Sequence, residues 1–230
     1  MEDGKKMNNL NVIYEDNHII VVEKPYNIPS QEDSSKDIDM INIIKNYLKE
    51  KYQKKGNVYL GLIHRLDRPV GGLMVFAKTS KAASRLSSEV RNNEFHKTYL
   101  AVVNGKTKEK EKLIDYISKD NKTFSSYIDN ENGKESILEY ETLYYDKKED
   151  VSLIKVNLIT GRHHQIRLQM SNINHPLIGD QRYGKEDKKQ IMLYAYKIRF
   201  VHPTKKEVMT FELLPKWDII KEVNLWKIYI

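Results

Sequence analysis

The 230-residue sequence contains no cysteine. That excludes disulfides, thiolate nucleophiles, iron–sulfur clusters and Cys-ligated zinc. No apolar run approaches the roughly 20 residues that a bilayer-crossing helix needs. Residues Met1 to Asn9 are polar and mixed in charge, without the apolar core of a secretory signal. A soluble, cytoplasmic protein with no membrane partner is the expectation. Neither a GxGxxG nor a Walker pattern occurs, so dinucleotide and nucleoside-triphosphate chemistry has nothing to rest on. Internal repeats and Pro/Ser-rich linkers are also missing. A chain of this length can bury a core without staples, so a single domain over 10–230 is expected behind a flexible tail, 1–9.

Arginine is the other scarcity, and it is informative. Lys and Arg total 39 against 32 Asp and Glu, giving a formal charge of +7, yet only eight of the 39 are Arg. The basic balance makes polyanions plausible partners. Four of the eight Arg fall in two short stretches, His64-Arg65-Leu66-Asp67-Arg68 and Gly161-Arg162-His163-His164-Gln165-Ile166-Arg167. In a chain that otherwise chooses Lys, Arg should cluster where a planar, permanently charged fork is required.

Hydrophobic patterning predicts strands at Val12–Tyr14 and Ile19–Val22, broken by a turn at Glu15-Asp16-Asn17. A loop follows at Pro25 and Pro29. Ile38, Ile41, Ile44, Leu48 and Tyr52 are spaced for a helix capped by Asp37. Strands are expected at Val58–Ile63, Leu73–Ala77 and Lys97–Val103, with a helix capped by Ser80 and running to about Arg91 on an apolar face of Ala83, Leu86 and Val90. The charge-rich stretch 106–135 has no clear period and reads as surface loops and short strands. Further strands are expected at 137–145, 151–158, 193–201 and 207–214, and a helix carrying Ile166, Met170 and Ile173 on one face. Mostly strand-to-strand connections point to an α+β domain with a mixed, mainly antiparallel sheet flanked by helices and loops.

Asp67 sits between two Arg, after an apolar strand and before a proline and two glycines. Burial raises an Asp pKa and a neighbouring Arg lowers it. The arrangement suits either a structural ion pair at a turn or an ionised carboxylate in a dry cleft, ready as nucleophile or general base. Gly71 and Gly72 allow close backbone approach or a tight bend. Arg162 and Arg167 lie at a loop-to-helix junction, where amides and guanidinium forks suit a phosphate or carboxylate, or simply solvate a helix. Adjacent His163 and His164 should diverge on a helix or a strand, and no third ligand is placed to join them, so no metal site is expected. Tyr99 on a strand could stack on a nucleobase, or be an ordinary core tyrosine.

Together these stretches resemble the RluA-type family of RNA pseudouridine synthases, over about Asn11 to Pro215. Glu23-Lys24-Pro25 resembles the family's lysine-proline motif. His64-Arg65-Leu66-Asp67 with Gly72 and Phe76-Ala77-Lys78 resembles the catalytic motif, and Lys97-Thr98-Tyr99-Leu100-Ala101 the tyrosine motif. Thr160-Gly161-Arg162 with His164-Gln165-Ile166-Arg167, then His175-Pro176, Gly179-Asp180 and Tyr183-Gly184, resembles the third block. Two positions depart from the pattern: Val70-Gly71-Gly72 replaces a Thr-Ser-Gly, and Gln169 stands where a histidine is usual. The resemblance implies a cofactor-independent isomerase, without metal, acting as a monomer on uridines of ribosomal or transfer RNA. It makes Asp67 the catalytic aspartate and Tyr99 the residue against the target base. Arg167, or alternatively Arg162, would pair with Asp67. Arg65, Arg68, Arg162, His164, Gln165 and Lys24 are the expected RNA contacts, with Arg65 a candidate to fill the gap left by a flipped nucleotide. An S4-type RNA-binding domain is not expected, so the surplus Lys would supply the phosphate-directed affinity. The same motifs would also suit a non-catalytic RNA-binding or ribosome-assembly protein of the same fold; a glycosidase would need a paired second carboxylate, and none can be located.

Overall fold

The computed structural model describes residues 10–185, 188–223 and 228, so the expected tail, 1–9, lies outside the described residues. The described chain is mixed α/β, with eleven strands, three α-helices and a short 3-10 helix at Asp218–Glu222. It divides into two compact units: Met1–Phe95 with Arg199–Phe211, and His96–Ile198 with Glu212–Ile230.

In the first unit, β1 (Val12–Glu15) and β2 (Ile19–Lys24) form an antiparallel hairpin. Its turn is made by Asp16, whose Oδ1 accepts the backbone N–H groups of His18 and Ile19 at 2.8 and 2.9 Å. Helix α1 (Met40–Lys51) follows, then β3 (Gly61–Leu62), β4 (Gly71–Ala77) and helix α2 (Ser80–Arg91). Strand β4 pairs antiparallel with β2 from Ile19↔Ala77 to Lys24↔Gly72. Every residue of β4 is buried, which is why it reads as an unbroken apolar run instead of an alternation. Of the strand expected at 58–63, only β3 pairs, also with β4.

Helix α1 starts later than its periodicity suggested. Its cap is Asp39, whose side chain accepts the N–H of Asn42 at 3.1 Å. The buried stripe is Met40, Ile43, Ile44 and Leu48, while Ile38 and Tyr52 are exposed. Asp37 is left to other partners, described below. The cap of α2 is Thr79, one residue before the expected Ser80; its side chain accepts the N–H of Ala82 at 3.2 Å, and the helix buries Ala82 and Leu86. Glu15 fastens the hairpin to its neighbours: its carboxylate accepts from Lys78 at 2.5 Å, Lys51 at 2.7 Å, Tyr52 at 2.8 Å and Tyr47 at 3.1 Å. Burial pushes the Glu15 pKa up, but the two ammoniums and Tyr52 outweigh it and bring the carboxyl to about 2.

The second unit contains β5 (His96–Asn104), β6 (Lys110–Asp120), β7 (Ser125–Ile128), β8 (Lys134–Asp146) and β9 (Val151–Leu158). These are hydrogen-bonded in the order β5-β9-β8-β6-β7, antiparallel at every step. The stretch expected as surface loops and short strands therefore holds an eleven-residue strand, β6, that forms a hairpin with the short β7. Helix α3 (Gln165–Asn172) comes next, followed by β10 (Leu193–Val201) and β11 (Val208–Glu212), which pair with each other and each contribute residues to both units. Residues Gln165 to Met170 of α3 are all buried. These six residues are thus enclosed on every side, not on the single face that the apolar spacing implied, while Asn172 at the end of the helix is exposed.

Candidate active site

In the first unit, the connection from β3 to β4 carries His64 to Val70. Its backbone is anchored on both sides of Asp67. Ser30 Oγ accepts the N–H of Leu66 at 3.1 Å and donates to the Leu66 carbonyl at 2.8 Å. Lys24 Nζ donates to the Arg68 carbonyl at 3.0 Å, and also to the carbonyls of Ile28 at 2.6 Å and Pro25 at 2.9 Å. The turn closes with Val70 N–H on the Asp67 carbonyl at 2.9 Å. Gly72, opposite Lys24 in the sheet, has a φ of 123°, a conformation open to glycine alone among common residues. Asp67 is thereby presented partly buried on a turn that its neighbours hold fixed.

Lys24 was expected to contact RNA, but it has no exposed surface. It ends β2, whose pairing with β4 carries its side chain under the turn, and three carbonyls take its donors. Burial lowers its pKa to about 7, against the attraction of the Asp67 carboxylate, while Arg68 lowers it further. The two arginines beside Asp67 differ. Arg65 is exposed and makes no hydrogen bond or ion pair among the described residues. Arg68, also expected on RNA, is held by an acidic loop: it reaches Asp37, donates to Ser35 Oγ at 3.0 Å and lies 3.7 Å from Asp33. This is the role that Asp37 takes instead of capping α1.

His64 is buried, and its Nε2 accepts the Val75 N–H at 3.3 Å, which places the proton of the neutral ring on Nδ1. Its ring leans on Phe95, which stacks on Phe200 at 5.4 Å. The histidine of this motif therefore packs and orients the turn.

In the second unit, Tyr99 is 6% exposed on β5, opposite Val156 of β9. Lys97, two residues earlier, shares its face of the strand. Arg167 is on α3 and is 6% exposed. It forms a forked pair with Asp180, Nε to Oδ2 and Nη2 to Oδ1, both at 2.8 Å. Burial pushes the Asp180 pKa up, but the Arg167 hydrogen bonds and charge, with the N–H groups of Arg182 and Tyr183, hold it below the usual carboxylate range. The guanidinium also lies over the Tyr183 ring at 5.3 Å. Arg162, in contrast, is exposed and donates its Nε to the Glu135 carbonyl at 3.1 Å. Of the two candidate arginines, Arg167 is the buried and oriented one.

His164 and Gln165 support this block from within. His164 has a φ of 54°. That left-handed bend brings the rings of His163 and His164 into a stack at 3.7 Å, where side chains on regular backbone would diverge. Each ring is occupied: His163 Nδ1 meets Ser126 Oγ at 3.0 Å and His164 Nδ1 meets the Tyr183 hydroxyl at 2.9 Å. Tyr183 in turn accepts the Ser126 N–H at 2.7 Å, and Arg182 donates to Thr123 O and Ser125 Oγ at 2.9 and 2.6 Å. The β6–β7 hairpin is thus tied to the third block. Gln165 is buried, with Oε1 accepting from Thr160 Oγ1 at 2.9 Å and Arg162 N–H at 3.0 Å. The supporting roles of Ser30, Ser126, Asp180 and Tyr183 carried no local signal in the sequence beyond the motif membership of the last two.

Comparison with known proteins agrees with the motifs. The family model described as RNA pseudouridylate synthase matches residues 18–172. An uncharacterized RNA pseudouridine synthase of Aquifex aeolicus is 34% identical over 94% of this chain and 72% of its own length. The ribosomal large subunit pseudouridine synthase D of Borreliella burgdorferi is 30% identical over 94% of this chain and 68% of its own. Among solved structures, human RNA pseudouridylate synthase domain containing 4 superposes with a TM-score of 0.75 at 19% identity, over 91% of this chain and 90% of that one. Domain containing 1 gives 0.74 at 22%, over 90% and 84%; both show the shared fold. With its ordered motifs, its fold and a family match across most of its length, the chain belongs to the RNA pseudouridine synthase family.

Proposed function

We propose that this protein converts uridine within ribosomal or transfer RNA to pseudouridine, with Asp67 as the catalytic carboxylate. The observation that carries the reading is the turn at Asp67. Its backbone is fixed at Leu66 by Ser30 and at Arg68 by Lys24, so Asp67 is presented from a set backbone, with the exposed Arg65 two residues before it in the chain. Pre-set geometry is what a reacting group requires, because misplacement by about 1 Å costs on the order of a hundredfold in rate.

The reaction breaks the N1–C1′ bond, turns the uracil within the site and joins C5 to C1′. The C5 proton is lost and N1 gains one, so atoms balance without an oxidant, reductant or co-substrate. A monomer working in the cytoplasm without cofactor suffices. Tyr99 takes the face of the uracil and assists loss of the C5 proton, and Arg167 is the guanidinium of the catalytic set; both assignments follow the family motifs. Neither C1′ nor C5 is accessible in a stacked helix, so the uridine is flipped out, and Arg65 is free to enter the space it leaves. His164 and Gln165 serve the block that holds Arg167.

The test is a pseudouridine map of ribosomal and transfer RNA from cells with and without the gene, joined to turnover of the purified protein. Asp67→Asn should abolish pseudouridine formation and leave RNA affinity within about twofold, since one oxygen becomes an amide at nearly constant shape. Identical maps with and without the gene would instead favour a non-catalytic RNA-binding protein of this fold. Normal turnover by the variant would remove Asp67 from the chemistry.

A further inference from the structure

We infer that Lys97 is a binding residue for a phosphodiester beside the target uridine, a role that deepens, and rests on, the RNA isomerase reading above. Three observations carry it. First, its ammonium is partly buried and makes no hydrogen bond or ion pair among the described residues. Other sequestered lysines are matched: Lys24 by three carbonyls, Lys78 by Glu15 and Lys155 by Glu141 at 3.4 Å. Removing an ammonium from water with no partner costs several kcal/mol, so a retained, unmatched charge points to an anion supplied from outside the chain. Burial accordingly draws the Lys97 pKa below that of a solvated lysine.

Second, Lys97 faces the same way as Tyr99 on β5, two residues along, which sets the charge next to the residue assigned to the base. Third, the ammonium lies against Gly161. A Cβ there would be 2.9 Å from Nζ and would meet nothing else within 4 Å. Glycine leaves this ammonium uncovered at the start of the exposed pair Gly161-Arg162. The substrate class of the family is RNA, and the permanent anions of RNA are its phosphates. Lysine is a compact point charge suited to them.

The probe is the trinucleotide UpUpU, compared with versions carrying a neutral methylphosphonate on either side of the central uridine. Binding to the full chain, wild type and variants alike, is followed by titration calorimetry, and in wild type the lysine side-chain NMR signal that Lys97→Met removes reports whether this ammonium meets the charged linkage. Wild type should prefer the charged linkage at one of the two positions by about tenfold, the value of one charge-assisted contact. Lys97→Met should abolish the preference, and Gly161→Ala, which displaces the ammonium and keeps its charge, should weaken it. On longer RNA, Lys97→Met should reduce the salt slope by about one. The variant should melt at or above the wild-type temperature, because it removes an uncompensated charge. A preference that survives in Lys97→Met overturns the inference. So does a clearly lower melting temperature, which would make the ammonium structural. A fall in turnover at saturating RNA with linkage discrimination intact would also overturn it, moving Lys97 to the reacting base. The binding measurement needs no turnover: a protein that discriminated the linkages yet formed no pseudouridine would fail only the isomerase reading.

Discussion

Replacing Lys24 by Met should damage both stability and turnover while leaving the outer surface unchanged. The side chain is fully buried and its ammonium donates to Pro25, Ile28 and Arg68 carbonyls at 2.9, 2.6 and 3.0 Å. Each such bond to a charged group contributes about 1.5–3 kcal/mol, and the three carbonyls would be left without that donor. Release of the buried charge offsets several kcal/mol of this, for a net loss of about 3 kcal/mol. In a chain of this size that lowers the melting temperature by roughly 6–12 °C. The loss should depend on pH in a defined direction. Burial brings Lys24 to about 7 from 10.5, so between those values the unfolded chain holds a proton that the folded chain has released. Folded stability therefore rises with pH across that window in the wild type and not in the variant. Scanning calorimetry from neutral to alkaline pH should show the gap between the two widening. Loosening the Asp67 turn at its Arg68 anchor should also reduce turnover by roughly a hundredfold with RNA affinity retained. An unchanged melting temperature would refute the assignment of Lys24 as an anchor of this turn, and a gap that stays constant with pH would refute the lowering of its pKa by burial.

Arg167→Lys should lose at least about a hundredfold in turnover and melt lower, because an ammonium cannot hold both oxygens of the buried Asp180; near-normal activity would move the catalytic guanidinium to Arg162. Glu15→Gln should destabilise the protein at neutral pH, and the deficit should shrink as the solution is acidified. The Glu15 carboxyl is held at about 2, below its ordinary 4.5, so its contribution is complete above that upper value and is lost as pH falls toward the lower one. Acid melts of the two proteins that remained equally separated down to the lower value would contradict this.

Hydrophobic patterning revealed most of the strands and the three helices because buried strands such as β4 and the stripe of α1 concentrate apolar residues. It misplaced the start of α1, since Asp37 and Asp39 are chemically equal caps and only the fold assigns one of them to Arg68. It missed β6 for a different reason. The strand's burial alternates, but Asp115 stands on the inner face between Leu113 and Ile117 while Ile114 and Tyr116 are exposed, so the apolar alternation that marks a half-buried strand is missing from the sequence. The ordered motifs made Asp67, Tyr99 and Arg167 legible as candidates. What surrounds them was not: Ser30 lies 36 residues from Leu66 and Lys24 lies 44 from Arg68 along the chain. A lysine before a proline looks like a solvated charge until the pairing of β2 with β4 brings it under the turn.

The departure at Gln169 gains meaning from the same packing. Gln169 is fully buried, accepts from Gln165 Nε2 at 3.0 Å, and donates to Asp115 at 2.8 Å and the Ser136 carbonyl at 3.1 Å. With Gln165 accepting from Thr160 and the Arg162 amide, the side chains form one directed run of donors and acceptors through α3, the helix that carries Arg167. A neutral histidine could also accept at one end and donate at the other. Once protonated, however, it would turn both ring nitrogens into donors and face the Gln165 amide N–H with another N–H. An amide at position 169 keeps the same directionality and cannot titrate. Where polar groups are enclosed and must be matched, that keeps a titrating side chain out of this run behind Arg167, and the histidines of the block, His163 and His164, are left to the Ser126 and Tyr183 side.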